Sequence, residues 1–241
     1  MNTEEYERMY RLEDTYWWFV GRHHLVLTLL QSAYPAEQSL SILDVGCGTG
    51  AMSQKLAPFG TVVSADFSPL ALSFSKRRGI GRLVVSDAVR LPFRDACFDV
   101  VIAMDLLEHV EDDQTALCEI HRVLKPGGRL ISTVPAYPSL WSGHDVALMH
   151  FRRYVAPVLR RRVTAAHLRI ERLSYAMTFL FPIVWMVRKI WPGRNNPKAS
   201  LIPVPGLVNK MLVRLLTWEN HIIKHLNLPW GVTVLCVAVR P

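Results

Sequence analysis

Residues Ile42 to Gly50 read Ile-Leu-Asp-Val-Gly-Cys-Gly-Thr-Gly: an apolar run reaches an acid and passes into a loop with glycine at 46, 48 and 50. A strand that feeds a glycine-rich turn and then a helix is how doubly wound α/β domains hold a nucleotide-like cofactor. Gly46 and Gly48 carry no Cβ, so the backbone can turn sharply and approach a ligand. Gly50 lets the following helix pack closely on the sheet. The spacing is G-x-G-x-G, not the G-x-G-x-x-G of dinucleotide sites, and Asp44 stands just before the loop. A carboxylate there suits a cofactor with a positive end better than a pyrophosphate.

The rest of the pattern from Ser39 to Ala136 alternates strand and helix, which implies a parallel sheet covered on both faces. Strands are predicted at Ser41–Val45, Thr61–Asp66, Arg82–Ser86, Phe98–Met104 and Arg129–Val134. Helices are predicted at Ala51–Pro58, from Pro69 to Arg78 behind a Ser68 cap, and from Asp113 to Leu124 before the terminator Lys125-Pro-Gly-Gly. Beyond Ala136 a helix is expected at Ala156–His167, a strand at Leu168–Tyr175 and a closing strand at Val232–Val239. The chain of 241 residues reads as a single domain. It has an amphipathic helical cap over 1–38, a cofactor-binding core over 39–136, and a part over 137–241 that binds substrate and completes the sheet. Within the last part the apolar, Pro- and Trp-rich segment 179–229 is expected to be a packed lid or an interfacial helix. Its longest uncharged run, Leu173–Val187, contains Pro182 and falls short of the roughly 20 residues that span a bilayer.

Four scattered cysteines with no CxxC pair argue against a disulfide framework or a zinc site. The acidic, polar start is unlike a signal peptide, so a cytoplasmic protein is expected. The net charge of +8 is concentrated in the arginine-rich, lysine-free stretch from Arg152 to Arg172. Such a block can meet phosphate or an anionic lipid surface, or simply be a solvated helix face.

Ligands of open parallel sheets bind beyond the carboxyl ends of the strands, and here those ends carry Asp44, Asp66, Asp87 and Asp105. Asp66 is placed to accept ribose hydroxyls, with Phe67 beside it. Asp87 and Ala88 are placed to meet an adenine edge. With Leu43–Gly50, Leu91-Pro-Phe, Leu107-Glu108-His109-Val110 and Val123-Leu124-Lys125-Pro126-Gly127-Gly128, the chain resembles the class I S-adenosylmethionine-dependent methyltransferases of small-molecule type, the type 11-like group. The resemblance implies a Rossmann-like sheet in the order 3-2-1-4-5-7-6 with strand 7 antiparallel, plus the N-terminal helical appendage and a helical lid between strands 6 and 7. It implies S-adenosylmethionine as cofactor, held by Gly46, Cys47, Gly48 and Gly50 at its amino-acid part. Asp66 would hold the ribose, Asp87 the adenine, and the backbone at Met104 and Asp105 the methionine end. The ends also resemble a bacterial subgroup with Trp-Trp-Phe-x-Gly-Arg near the start and Leu-Trp-Ser-x-His-Asp after strand 5.

The acceptor must be sought in less regular sequence. His144 is the leading general base, with Asp145 as its orienting carboxylate, and His109 is a second base. Substrate contacts are expected from Trp17, Trp18, Arg22, Tyr137, Trp141, His150 and Tyr154, with Arg152 and Arg153 as a clamp for phosphate or carboxylate. No metal site is assigned, because His144, Asp145 and His150 lack a further carboxylate. Enzymes that methylate base amines carry a polar-Pro-Pro-aromatic tetrad after strand 4. Here that position reads Met104-Asp105-Leu106-Leu107, which disfavours a nucleic-acid substrate. The expected acceptor is a small molecule, lipid-like or bearing an anionic group, with peripheral membrane contact by the enzyme. Two rival readings are a nicotinamide-dependent oxidoreductase and a non-catalytic cofactor-binding scaffold.

Overall fold

The apolar run Val100–Met104 is satisfied only where both its faces are covered, and its strand lies at the centre of a seven-stranded sheet. The computed structural model describes residues 3–34, 38–190 and 204–241. Its strands are β1 (Leu40–Val45), β2 (Gly60–Asp66), β3 (Leu83–Val85), β4 (Phe98–Met104), β5 (Leu124–Pro135), β6 (Arg169–Ala176) and β7 (Thr233–Val239). They are arranged β3-β2-β1-β4-β5-β7-β6. The first five are parallel, and β7 runs antiparallel between β5 and β6. This is the predicted order and direction.

Alternate residues of each strand feed two apolar layers. Leu43, Val101 and Leu130 face α5 (Asp113–Val123) and α7 (Ala156–Ala165). Ile42, Ile102, Ile131 and Leu235 face α2 (Trp17–Ala33) and α3 (Ala51–Leu56). The helix α4 (Pro69–Arg77) begins as expected, with the Ser68 side chain accepting from the Ala71 N–H. The helix α5 stops at Val123, but Lys125-Pro-Gly-Gly does not separate it from a later strand. The turn lies within β5, as an irregularity between the pairs Phe98↔Leu124 and Val100↔Arg129. There Gly127 N–H donates to the Arg240 carbonyl and Arg240 N–H donates to that of Gly128, so the turn is tied to the chain after β7.

The N-terminal cap has two unlike helices. The first, α1 (Thr3–Leu12), is amphipathic and exposes its charged face. The second, α2, was expected to be amphipathic too, yet it carries apolar residues around its girth because it is enclosed on two sides. Leu25, Val26, Leu29 and Leu30 enter the sheet layer, while α9 (Gly206–Ile223) packs on its back. Asn220 Nδ2 donates to the Gly21 carbonyl across that contact. Each fully buried leucine stabilises by about 1.5–3 kcal/mol, so α2 is integral to the fold.

The segment 179–229 supplies α8 (Phe181–Ile190) and α9, and its residues 191–203 lie outside the described residues. The buried Glu219 carboxylate accepts from the N–H groups of Met177 and Phe179, pinning the chain after β6 to α9. None of its described residues reaches the ligand cavity. Of these, α9 packs on α2, so the described part of the segment does not act as the expected substrate lid. Among the described residues no helix is long and apolar enough to cross a membrane.

Candidate active site

Beyond the carboxyl ends of β1, β2 and β4 opens a cavity of about 1050 Å³. Single-ligand pockets run to roughly 300–1,000 Å³, so there is room for a cofactor and a second molecule. Gly46, Cys47 and Gly48 lie on its wall with Asp44, Asp66, Phe67, Asp87, Ala88, Met104 and Asp105. The three loop glycines all have left-handed φ, of 71°, 56° and 86°. A Cβ on Gly48 would come within 2.8 Å of Met9 Cε. Gly50 does not line the cavity; it opens α3, and a Cβ there would meet Ser75 of α4 at 2.8–3.0 Å, so its task is packing.

The acids differ in environment. Burial pushes Asp44 up to about 6, with Asp66 adding to the rise, and its Oδ2 accepts from Ser53 Oγ at 2.5 Å. Burial also raises Asp66, against backbone donors: Ser68 N–H on Oδ1 and Gly48 N–H on Oδ2, both at 2.9 Å. A carboxylate oxygen has two lone pairs, so each keeps one for a ribose hydroxyl. Ser86 Oγ is buried with no partner on the same wall, beside Asp87. The glycine cradle, the two-oxygen anchor at Asp66 and the orphaned hydroxyl next to Asp87 fit an adenosyl cofactor.

The cavity is roofed by α1. Tyr6, Met9 and Glu13 line it. Arg78, at the end of α4, holds this roof down. Its guanidinium donates to the carbonyls of Thr49 and Tyr10, to Asp14 at 2.5 Å and to Glu13 at 3.2 Å. Thr49 Oγ1 donates to Glu13 at 2.5 Å. Burial pushes the Glu13 carboxyl up to about 7, against the lowering by Thr49 and Arg78. None of these clamp residues was assigned a role from sequence, because the contact joins residues about sixty apart in the chain.

Past Asp105 the cavity wall is made of histidine. His109, His144 and His150 all line it. The rings of His109 and His150 meet edge to face at 4.6 Å, and those of His144 and His150 at 6.5 Å. Burial, and then His150, push His109 down to about 4, so it is neutral at pH 7. Asp145 is a buried hub: it caps α6 (Gly143–Ala147) through Ser142, and its Oδ1 accepts from His150 Nδ1 at 3.0 Å and from Arg153 Nε at 2.7 Å. Burial would raise its carboxyl, but the His150 hydrogen bond and the Arg153 charge hold it well below the usual carboxylate range. These contacts commit Asp145 to His150 and Arg153. Glu108, assigned nothing from sequence although it stands in the quoted Leu107–Val110 motif, is buried on the same wall. Neither carboxylate oxygen meets a partner outside its own residue, and burial pushes it well above the usual range.

Trp18 and Arg22 reach the cavity as expected, and Arg22 forms an ion pair with Asp105 and donates to Thr133 Oγ1. Other expected substrate contacts are not on its wall. Trp17 packs against the cluster of Met177, Leu180, Leu216 and Val232. Tyr137 stacks on Tyr175 at 5.2 Å, and Trp141 is not among the residues lining the cavity. Tyr154 is in the core, its hydroxyl donating to Asp113. Of the expected arginine clamp, Arg152 is held by Asp113 and the Glu111 carbonyl and is not on the wall, while Arg153 does line the cavity but is bonded to Asp145 and the Ala136 carbonyl.

Sheet order and cavity thus define an adenosyl-cofactor-dependent transferase, and the comparisons agree. A methyltransferase-domain family model matches residues 43–132. A demethylmenaquinone methyltransferase of Clavibacter sepedonicus is 31% identical over 208 residues, covering 83% of this chain and 73% of that protein. One of Staphylococcus aureus is 35% identical over 148 residues, covering 58% and 61%. A chain of the solved complex between the Haloferax volcanii Trm112 methyltransferase activator and the putative methyltransferase shares the fold, with a TM-score of 0.64 at 21% identity over 99% of this chain and 95% of that one. The chain belongs to the class I S-adenosylmethionine-dependent methyltransferases. That membership displaces both the oxidoreductase and the scaffold readings.

Proposed function

We propose that the enzyme methylates a small amphipathic acceptor carrying a ring hydroxyl, of the phenol or quinol class, with His144 as general base. The observation that carries this reading is the histidine wall at the Met104–Asp105 end of the cofactor cavity. S-adenosylmethionine supplies a methyl group already activated by its sulfonium charge, so the protein has to position the acceptor and manage one proton. His144 accepts the hydroxyl proton, which raises electron density at the ring oxygen and at the carbons ortho and para to it. Trp18 and Phe19 on one side and Leu148 and Met149 on the other give the acceptor apolar walls. The relatives named as demethylmenaquinone methyltransferases favour the same acceptor class. The test is transfer of labelled methyl to a short-chain dihydroxynaphthalene acceptor. His144→Ala should keep its affinity for S-adenosylhomocysteine and lose roughly 10²–10⁴ in turnover; undiminished turnover sinks the assignment.

An amphipathic acceptor fits a second part of the proposal, contact with an anionic lipid surface. The residues expected in a lid present an apolar outer face instead. On α9 Leu207, Met211 and Trp218 are exposed with Lys210 and Arg214 among them, and on α8 Ile183, Trp185 and Met186 are exposed. Aromatic and apolar side chains interleaved with cations suit a headgroup interface. Sedimentation with anionic vesicles should fall as salt rises and drop on Trp218→Ser; equal sedimentation with neutral vesicles refutes it.

A further inference from the structure

We propose that Glu108, His109 and His150 form a binding site for a divalent transition-metal ion of the zinc or cobalt type, at the acceptor end of the cavity. One carboxylate oxygen of Glu108 and one ring nitrogen of each histidine lie within 4.8 Å of one another. Two imidazoles and a carboxylate are a ligand set that zinc and its neighbours favour, whereas calcium and magnesium take oxygen.

Two independent features point to an ion. Glu108 is 1% exposed, yet neither oxygen has a partner outside its own residue, and the residue lines the cavity. A buried carboxylate left unpaired is costly, and a cation between it and the two rings supplies the missing partner. The second feature lies behind the His150 ring. Metal-bound histidines almost always donate their other ring N–H to a carboxylate or a carbonyl, which fixes the tautomer. His150 Nδ1 is hydrogen-bonded to the Asp145 carboxylate, itself held by Arg153, and in the neutral ring this arrangement leaves the Nε2 lone pair for a metal. Arg22 already neutralises Asp105, so that acid is not left to draw the ion away.

Three protein ligands facing a cavity leave coordination positions open, as in catalytic metal sites. An acceptor hydroxyl in such a position would be oriented toward the methyl and made more acidic. This role rests on the acceptor reading above; binding of the ion does not.

The test uses the full chain, stripped with a chelator and titrated with Co²⁺, read by visible d–d absorption, and with Zn²⁺, read by calorimetry, with no acceptor present. One equivalent should bind. Glu108→Gln and His109→Gln should each weaken binding at least about 100-fold, a loss larger than the 10–100-fold typical of an outer-shell change. Both variants should still bind S-adenosylhomocysteine, which reports their folding. X-ray absorption of the zinc-loaded wild type should show two imidazole ligands and no sulfur, an outcome that needs no variant. Absence of saturable binding, a sulfur ligand, or binding that both variants retain would overturn the proposal. Because no acceptor is used, failure here leaves the acceptor reading standing, and failure of that reading leaves the metal result intact.

Discussion

The α1 roof should loosen as pH rises, and Glu13 should be the cause. Its carboxyl is 5% exposed when the roof is closed and its pKa is raised from 4.5 to about 7. When α1 lifts, the group meets water and returns to about 4.5. A raised pKa in the closed form means that closure is favoured fully below pH 4.5 and that this contribution is lost as pH climbs through 7. At 1.36 kcal/mol per unit, the two pKa values make opening about 2.5 kcal/mol easier at pH 8 than at pH 5, roughly a 70-fold change in the opening equilibrium. Glu13→Gln keeps an oxygen to accept from Thr49 but cannot ionise, so it should remove most of that dependence. Amide hydrogen exchange along Glu7–Leu12, corrected for intrinsic rates, reads the opening free energy directly. Equal pH dependence in wild type and Glu13→Gln would refute the reasoning.

Other consequences are simpler to measure. Asp66→Ala should weaken S-adenosylhomocysteine binding at least about 100-fold, since hydrogen bonds to a charged group are each worth about 1.5–3 kcal/mol; unchanged affinity by calorimetry would remove Asp66 from the cofactor site. Gly50→Ala forces a side chain into left-handed backbone against Ser75, at a cost of about 1–3 kcal/mol. Its melting temperature should fall by several degrees, and an unshifted transition would contradict the packing role. Asp145→Asn should cost about 3–5 kcal/mol in urea unfolding, because it strips Arg153 of its buried counter-charge; a loss below about 1 kcal/mol would show that the hub is dispensable.

The cofactor half of the site was legible in the sequence because its determinants are local. A strand that ends in Asp44 and runs into Gly46-Cys47-Gly48 has little choice of conformation, and Asp66 and Asp87 repeat the placement on neighbouring strands. The acceptor half was not legible, because its residues arrive from distant segments and the same side-chain types serve two purposes. Arg153 and Asp145 look like ligand contacts in one dimension and prove to be a buried pair. Tyr154 and Tyr137 look like aromatic walls and turn into core. Conversely Glu108 was in view beside His109, but nothing in the sequence says that it lacks a partner. The 179–229 segment misled for a related reason: its apolar residues cover α2 and face outward, and the pattern alone does not say which side of a helix meets a cavity.

The placement of β7 bears on how the chain comes to be folded. The last of the seven strands in sequence lies inside the sheet, between β5 and β6, and α9 just before it backs α2. A nascent chain short of Thr233 therefore has two open strand edges and an α2 whose outer side is bare, surfaces that invite association with other chains. Closing them requires contacts between segments as distant in sequence as Gly21 and Asn220, which are slow to form. Productive folding of the sheet should accordingly wait for β7 and be sensitive to chaperone supply, and truncations before Thr233 that spare every cofactor residue should still yield insoluble protein.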